Sequence, residues 1–212
     1  MVEISDESRN ELLNLKFNDY IEYMRKYAKE NNVPIIQDEG LAFLKAIVKL
    51  YKPKKILEIG CAIGYSASMM SLYSGASVTT IERDPKMYEE ASKNVKALGL
   101  EDKINIIFKD ALLVEEELRD EEFDMIFIDA AKGQYIKFFE KFSPYLKSEG
   151  IIVTDNMLFH GLLDQEIQNR NLRQLVNKLK KYHTFLLENE EYDTSIYDLG
   201  DGMALSIKKN WV

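Results

Sequence analysis

Residues 55–67 read KILEIGCAIGYSA: a short apolar run, two nearby glycines, and the beginning of a helical pattern. The apolar run predicts a buried strand at Lys55–Ile59, and the stretch 65–73 predicts a helix. Between a strand and a helix, Gly60 and Gly64 let the backbone approach a ligand closely, beside the free N–H groups of the helix start. An ordinary tight turn explains the glycine pair equally well when the pair is taken alone.

Acidic residues at two later strand ends extend this pattern. The G-x-x-x-G spacing lacks the tight first turn of a G-x-G-x-x-G dinucleotide site, which disfavours NAD. Glu82 stands about 20 residues after the turn, where a carboxylate can accept both hydroxyls of a ribose. The third apolar run ends near Asp110 and Ala111, where an adenine amino group can be held. These strand ends predict a nucleoside pocket at one edge of a sheet.

Apolar runs alternate with helical patterns along most of the chain, which predicts an α/β fold with a doubly wound parallel sheet. The predicted strands are Lys55–Ile59, Ser77–Ile81, Ile104–Phe108, Phe123–Ile128 and Gly150–Thr154, followed by a hairpin of 194–199 and 203–208. Predicted helices include 8–31, 38–51 with Asp38 as N-cap, and about 168–187. We interpret residues 1–212 as one domain, in which residues 1–32 form a helical extension, a lid or docking element.

Composition narrows the functional classes. The chain has 212 residues, a net charge of −8 and a pI of about 5.0, and 46% of its residues are hydrophobic, enough for a core. One cysteine, Cys61, and two histidines exclude an internal disulfide framework and cysteine-built or multi-histidine metal sites. Neither an apolar leader nor a membrane-length apolar stretch is apparent, so we expect a cytoplasmic protein without membrane association. The acidic balance argues against coating nucleic acid through bulk charge.

Carboxylates also follow the fourth and fifth predicted strands. Asp129 ends one, and Asp155 and Asn156 end the next. Adjacent ends of parallel strands emerge at the same edge, so these three side chains are expected to converge. Two carboxylates and an amide oxygen suit Mg²⁺, Mn²⁺ or Ca²⁺ and leave positions for water and substrate. The alternative is that Asp155-Asn156 caps a helix and Asp129 sits in a turn.

Together these motifs resemble the S-adenosylmethionine-dependent methyltransferases of Rossmann-like fold, over about 33–209. The narrower resemblance is to the cation-dependent O-methyltransferases of the catechol and caffeoyl-CoA type, whose cofactor turn is similar to Gly60–Ala67. The resemblance implies a class I methyltransferase sheet of seven strands with a C-terminal antiparallel hairpin, and a homodimer. It implies that Ser66 and backbone near Ile36 hold the methionine end of S-adenosylmethionine, and that Glu82 holds the ribose. The full implied cofactor set is Ile36, Glu58, Gly60, Gly64, Ser66, Glu82, Asp110, Ala111 and Asp129.

The resemblance also assigns catalytic roles. It implies that Asp129, Asp155 and Asn156 are metal ligands and that Lys132 is the general base. Burial and a nearby cation would lower the pKa of that lysine; a solvated surface lysine is the alternative. The resemblance implies two roles for Asp129, as a metal ligand and as a neighbour of the cofactor. An NAD-dependent oxidoreductase or a non-catalytic binding module fits the motifs less well.

Chelation requires an acceptor with neighbouring oxygens, and two kinds fit. One is a catechol or caffeoyl ester; the other is 5-hydroxyuridine, whose 5-hydroxyl lies beside the 4-carbonyl. The segment Val33–Ile36 and the hairpin 199–205 are most similar to the bacterial branch that converts 5-hydroxyuridine at the tRNA wobble position to 5-methoxyuridine. That branch implies an anticodon-loop partner. Two basic clusters on predicted helices are candidates to flank the site, or are solvated faces: Arg25, Lys26 and Lys29, and Arg170, Arg173, Lys178, Lys180 and Lys181.

Overall fold

The computed structural model describes the backbone of residues 6–130, 132–157 and 169–209, and the side chains of those residues from Phe17 onward except that of Lys132. Seven strands form one sheet: β1 (Lys55–Ile59), β2 (Ser77–Glu82), β3 (Ile104–Phe108), β4 (Phe123–Ile128), β5 (Leu146–Thr154), β6 (Tyr192–Tyr197) and β7 (Met203–Lys208). Their order is β3-β2-β1-β4-β5-β7-β6. The first five strands in that order are parallel, and β7 pairs antiparallel with both β5 and β6. The predicted doubly wound sheet with a C-terminal hairpin is confirmed.

Six α-helices cover the sheet within the described residues: α1 (Asp6–Glu30), α2 (Asp38–Tyr51), α3 (Tyr65–Ser74), α4 (Pro85–Ala97), α5 (Tyr135–Phe142) and α6 (Arg170–Glu188). Helices α1 to α4 contribute to one apolar cluster, which includes Met24, Leu44, Met70 and Val95. Helices α5 and α6 contribute to a second, which includes Phe139 and Leu179. The two clusters lie on opposite faces because alternate strand residues, such as Ile56 and Leu57, belong to different ones. No helix among the described residues is both long and apolar enough to cross a bilayer.

The central strands are apolar on both sides because helices cover both faces of the sheet. In β1, Ile56, Leu57 and Ile59 are fully buried, and so is the single charged residue between them, Glu58. The pairing of β1 with β2 and β4 aligns Ile59 with Ile81 and Ile128. The first residues beyond these strands therefore meet at one edge.

Three predictions of detail need correction. Strand β5 begins at Leu146 rather than 150, because Leu146 pairs with Phe123 although the intervening residues are polar. Strand β6 spans Tyr192–Tyr197 rather than 194–199, since the buried Tyr192 pairs with Lys208. Asp38 is the first residue of α2 and not its N-cap, a position taken by Gln37 without a side-chain cap.

Candidate active site

The carboxyl ends of the parallel strands surround a cavity of about 600 Å³. Nine of the residues predicted to serve the site line it: Ile36, Gly60, Ser66, Glu82, Asp110, Ala111, Asp129, Asp155 and Asn156. Glu58 and Gly64 do not belong to the lining. The structure thus brings the predicted nucleoside pocket and the predicted carboxylate cluster into one cavity.

Gly60 occupies a position that excludes any side chain. Its φ is +98°, and a Cβ built there would lie 2.0 Å from the carbonyl oxygen of Asp129. The Asp129 N–H in turn donates to the Ile59 carbonyl at 3.0 Å. The glycine-rich turn and the end of β4 are therefore in direct backbone contact, and this contact needs glycine. Gly64, with φ +77°, is the N-cap of α3 and lies against Ala91 of α4.

Glu82 is held rigidly at the end of β2. One carboxylate oxygen accepts the Ala62 N–H at 2.8 Å, and the other accepts the N–H groups of Arg83 and Asp84 at 2.8 and 2.7 Å. A carboxylate offers about four acceptor sites, so these contacts leave capacity for a ligand. The arrangement presents an oriented acceptor to the cavity, as the ribose prediction requires.

Asp110 is a second oriented acceptor, at the end of β3. Its carboxylate accepts the Leu112 N–H at 2.9 Å and a hydrogen bond from Arg83 at 3.0 Å. These two contacts, the backbone N–H first, lower the pKa of Asp110, so the group is ionised at neutral pH. Sequence reasoning missed Arg83, which lines the same cavity; its place directly after Glu82 was the available signal.

Glu58 lies behind the Ser66 wall of the cavity. Its carboxyl group accepts hydrogen bonds from the hydroxyls of Ser66, at 2.5 Å, and Thr80. Full burial raises its pKa from the usual 4.5 to about 7, although the two hydroxyls oppose this. Because the Ser66 hydroxyl donates to Glu58, the lone pairs of its oxygen remain as acceptors. Glu58 does not line the cavity itself, but it orients the hydroxyl of Ser66, which does.

The carboxylate cluster is assembled from two neighbouring strand ends. The side chains of Asp129 and Asn156 are in hydrogen-bond contact at 2.9 Å, and the Asn156 N–H donates to Asp155 at 2.6 Å. Asn156 has a left-handed backbone, φ +64°, which turns its amide toward Asp129. Asp155 is only 4% exposed. The three predicted ligands therefore converge.

This donor set fits a hard divalent cation, since it supplies two carboxylates and an amide on adjacent turns. The described residues contain no group of three or more His, Cys, Asp or Glu placed for a metal ion. The predicted metal site contains only two such residues, Asp129 and Asp155, because its third ligand is the amide of Asn156. Metal binding therefore stays a prediction.

Two further contacts fix the loop that follows β5. The Tyr135 hydroxyl donates to the Asp155 carbonyl at 3.1 Å, and His183 of α6 donates to the Met157 carbonyl at 2.8 Å. The Met157 N–H also donates to the Gly202 carbonyl at 2.9 Å. Sequence reasoning did not identify Tyr135 or His183. Each contacts a residue that is distant in the sequence, and such a contact leaves no local sequence pattern.

Lys132 begins a 3₁₀ turn, Lys132–Gln134, directly before α5. In the chain it stands between Ala130 and Gln134, which both line the cavity. Its side chain lies outside the described residues, so its role as general base stays a prediction.

Helix α1 reaches the cavity wall through a single arginine. Arg25 donates to the Tyr65 hydroxyl at 3.1 Å and forms an ion pair with Asp38. Tyr65 lines the cavity, and Asp38 directly follows the lining segment 34–37. Two further hydrogen bonds connect α1 to the glycine-rich turn. The Tyr20 hydroxyl donates to the Asn94 side chain at 2.9 Å, and the Asn94 amide donates to the Ile63 carbonyl, also at 2.9 Å. The N-terminal helix thus supports the glycine-rich turn from outside.

The chain is similar in sequence to known O-methyltransferases. The sequence model of the O-methyltransferase family matches residues 7–209. A caffeoyl-CoA O-methyltransferase from Populus kitakamiensis is 31% identical over 190 residues, 85% of this chain and 80% of the relative. A flavonoid 3',5'-methyltransferase from Vitis vinifera is 30% identical over 191 residues, again 85% of this chain and 80% of the relative.

Solved structures share the fold. A caffeoyl-CoA O-methyltransferase candidate from Staphylococcus aureus has a TM-score of 0.86 and 39% identity, covering 96% of this chain and 100% of its own. A Bacillus cereus O-methyltransferase in complex with SAH has a TM-score of 0.79 at 23% identity, covering 90% and 91%, and supports the fold alone. Because the family match spans nearly the whole chain and the cavity carries the expected cofactor side chains, the chain belongs to the O-methyltransferase family and is an S-adenosylmethionine-dependent methyltransferase.

Proposed function

We propose that this enzyme uses a divalent cation to methylate 5-hydroxyuridine at the tRNA wobble position, giving 5-methoxyuridine. The observation that carries the proposal is the position of Asp129. It lies in backbone contact with the cofactor turn at Gly60 and in side-chain contact with Asn156. The methyl donor and a chelated acceptor would therefore meet on its two sides.

Each wall of the cavity has a defined task. Glu82 and Asp110 are fixed acceptors for the nucleoside of S-adenosylmethionine, and Ser66 presents its oxygen toward the methionine end. Asp129, Asp155 and Asn156 would hold Mg²⁺ or Mn²⁺, which when bound orients two neighbouring acceptor oxygens and lowers the pKa of one. Lys132 would take the proton from that hydroxyl, a contribution of about 10²–10⁴-fold in rate. Holding donor and acceptor in line supplies a further large part of the acceleration.

The choice of acceptor rests on chemistry and on sequence similarity. The 5-hydroxyl and 4-carbonyl of 5-hydroxyuridine have nearly the geometry of two adjacent ring hydroxyls. The segment Val33–Ile36, which forms part of the cavity wall, is similar to that of the tRNA-modifying branch. A wobble base is unstacked easily, so it can enter such a cavity at small energetic cost.

A second candidate is O-methylation of a small catechol or caffeoyl-type phenol. It is supported by relatives of 30–31% identity that carry the names caffeoyl-CoA O-methyltransferase and flavonoid 3',5'-methyltransferase. The same cavity and the same three metal ligands would serve it.

Transfer of labelled methyl from S-adenosylmethionine distinguishes the two. The enzyme is incubated with Mg²⁺ and either bulk tRNA containing 5-hydroxyuridine or caffeic acid. We expect label in tRNA that digests to 5-methoxyuridine, and we expect the Asp155→Asn variant to lose it. Label in caffeic acid alone would refute the tRNA proposal and support the phenol. Label in neither acceptor would refute both.

A further inference from the structure

Helix α6 has a charge pattern unlike that of the rest of this acidic chain. Within Arg170–Glu188 there are five basic residues and one acidic residue, the terminal Glu188. The basic residues are all exposed: Arg170, Arg173, Lys178, Lys180 and Lys181. At about 100° per residue they fall on one side of the helix, opposite the buried Val176, Leu179, Tyr182 and Leu186. The helix therefore presents one strongly basic face to solvent, in a chain whose net charge is −8.

No acidic side chain that the structure describes neutralises the basic face. None of the five side chains has an acidic partner within 4.0 Å among the residues that the structure describes. The other basic cluster differs, since Arg25 pairs with Asp38 and Lys26 with Glu30. Of the two clusters that the sequence offered, α6 is thus the one with charge available for an external anion.

Helix α6 contacts two loops that border the cavity. Lys178 lies over the turn Lys132–Gln134, with its Nζ 3.2 Å from the position that a Cβ on Gly133 would take. His183 holds the Met157 carbonyl, one residue beyond Asn156. The basic face therefore comes close to the rim of the cavity at Lys178 and extends from there along the helix in both directions.

We propose that the exposed face of α6 binds the ribose-phosphate backbone of the RNA acceptor beside the nucleotide that enters the cavity. This inference rests on the proposed tRNA function. From Arg170 to Lys181 the helix rises about 17 Å, a length that can follow several phosphates of one strand. A flipped base needs few phosphate contacts, so one local face suffices despite the acidic total. Arg and Lys on this face position the strand, and the cavity reads the base.

The test compares two triple charge reversals. In the first variant, Arg173→Glu, Lys180→Glu and Lys181→Glu reverse the centre of the face, leaving Lys178 at the catalytic turn. In the control, Lys45→Glu, Lys86→Glu and Lys96→Glu make the same charge change on exposed positions of α2 and α4, which pack on the opposite side of the sheet. Both proteins are compared with wild type for binding of unmethylated tRNA, steady-state methylation, and S-adenosylhomocysteine affinity.

We expect the α6 variant to raise the KM for tRNA by about tenfold or more, with kcat and S-adenosylhomocysteine affinity near wild type. The slope of log affinity against log salt should become shallower by about 2, at about 0.7 per lost phosphate contact. Methylation of the free 5-hydroxyuridine nucleoside should be unchanged, which a merely structural defect would not allow. The control should keep most of the tRNA affinity.

Contrary outcomes separate the inference from the function on which it rests. Wild-type methylation of tRNA with equal KM and salt slope in the α6 variant would overturn the assignment of this face and leave the function standing. No methylation of tRNA by the wild type would remove the function and the inference together. Loss of affinity for anionic vesicles, with tRNA affinity retained, would assign the face to a different partner and overturn the proposal.

Discussion

The guanidinium of Arg25 lies 3.1 Å from the Tyr65 hydroxyl and donates a hydrogen bond to it across forty residues of sequence. The same group pairs with Asp38, so it ties the start of α3 to the segment that leads into α2. Both partners border the cofactor cavity, one as a lining residue and one directly after the lining segment 34–37. Helix α1, whose Met24 and Ala28 are buried, thus stabilises two cavity walls at once.

Replacing Arg25 by methionine should weaken cofactor binding. The substitution keeps an unbranched apolar stem and removes both hydrogen bonds. One net hydrogen bond contributes about 1 kcal/mol, so we expect the Kd for S-adenosylhomocysteine to rise about fivefold, measured by calorimetry. Lys26→Met, one residue further on at an exposed position, is the control. Equal affinities for the two variants would show that the contact does not position the wall.

Gly60→Ala should damage the junction between the cofactor turn and Asp129. The added methyl group would lie 2.0 Å from the Asp129 carbonyl oxygen, so one of the two backbones must move. We expect a loss of about 4 kcal/mol in the free energy of unfolding, or failure to fold. Gly75→Ala is the matched control, with φ +76° and nothing within 4 Å of its Cβ. It should cost about 1 kcal/mol, through backbone strain alone. The free energies of unfolding are measured by urea denaturation. If the two variants lose similar amounts, the effect at Gly60 is due to backbone strain and not to the contact with Asp129.

The sheet could be predicted from the sequence because its strands carry near-continuous apolar runs. The predicted bounds of Lys55–Ile59, Ile104–Phe108 and Phe123–Ile128 match the structure. The first and third of these are central strands that are buried almost throughout, whereas Ile104–Phe108 is the edge strand and is partly exposed. The start of β5 could not be predicted. Leu146 is buried, but residues 147–149 that follow it are polar, so the pairing of Leu146 with Phe123 of β4 leaves no continuous apolar run in the sequence.

The site could be predicted where residues directly follow strands. Parallel strand ends meet at one edge, so Glu82, Asp110, Asp129 and Asp155 were placed correctly by topology. No comparable rule predicts contacts between side chains that are distant in the sequence. The contacts of Arg25 with Tyr65 and of His183 with Met157 depend on how the helices pack. The sequence predicts Asp38 as a cap from its place before an apolar run, whereas its side chain pairs with Arg25 of another helix.

Glu58 should make stability depend on pH. Its pKa is about 7 in the folded protein and 4.5 ordinarily, so the folded state binds more protons between these values. The contribution of Glu58 to the free energy of unfolding is fully present below pH 4.5. It is lost as the pH rises through about 7, and the loss amounts to roughly 3 kcal/mol. Glu58→Gln should therefore gain stability relative to wild type as pH rises from 4.5 to 7.5, measured by urea unfolding. Glu89→Gln, at an exposed position of α4, should run parallel to wild type. Parallel curves for Glu58→Gln as well would show that the carboxyl titrates normally.

Asp155→Asn should separate metal binding from cofactor binding. Asp155 is 4% exposed and holds the Asn156 N–H, so the nearly isosteric amide keeps the loop packed while removing the charge. We expect Mn²⁺ affinity, measured by electron paramagnetic resonance, to fall at least tenfold, because hard cations bind carboxylates more strongly than neutral amides. S-adenosylhomocysteine affinity should stay within about threefold of wild type, since Glu82 and Asp110, the proposed nucleoside acceptors, lie at the ends of other strands. Asp193→Asn, exposed on β6, controls for the charge change and should leave both affinities unchanged. Unaltered Mn²⁺ binding in Asp155→Asn would remove this residue from the metal site, and EDTA-resistant methyl transfer by the wild type would remove the metal from the reaction.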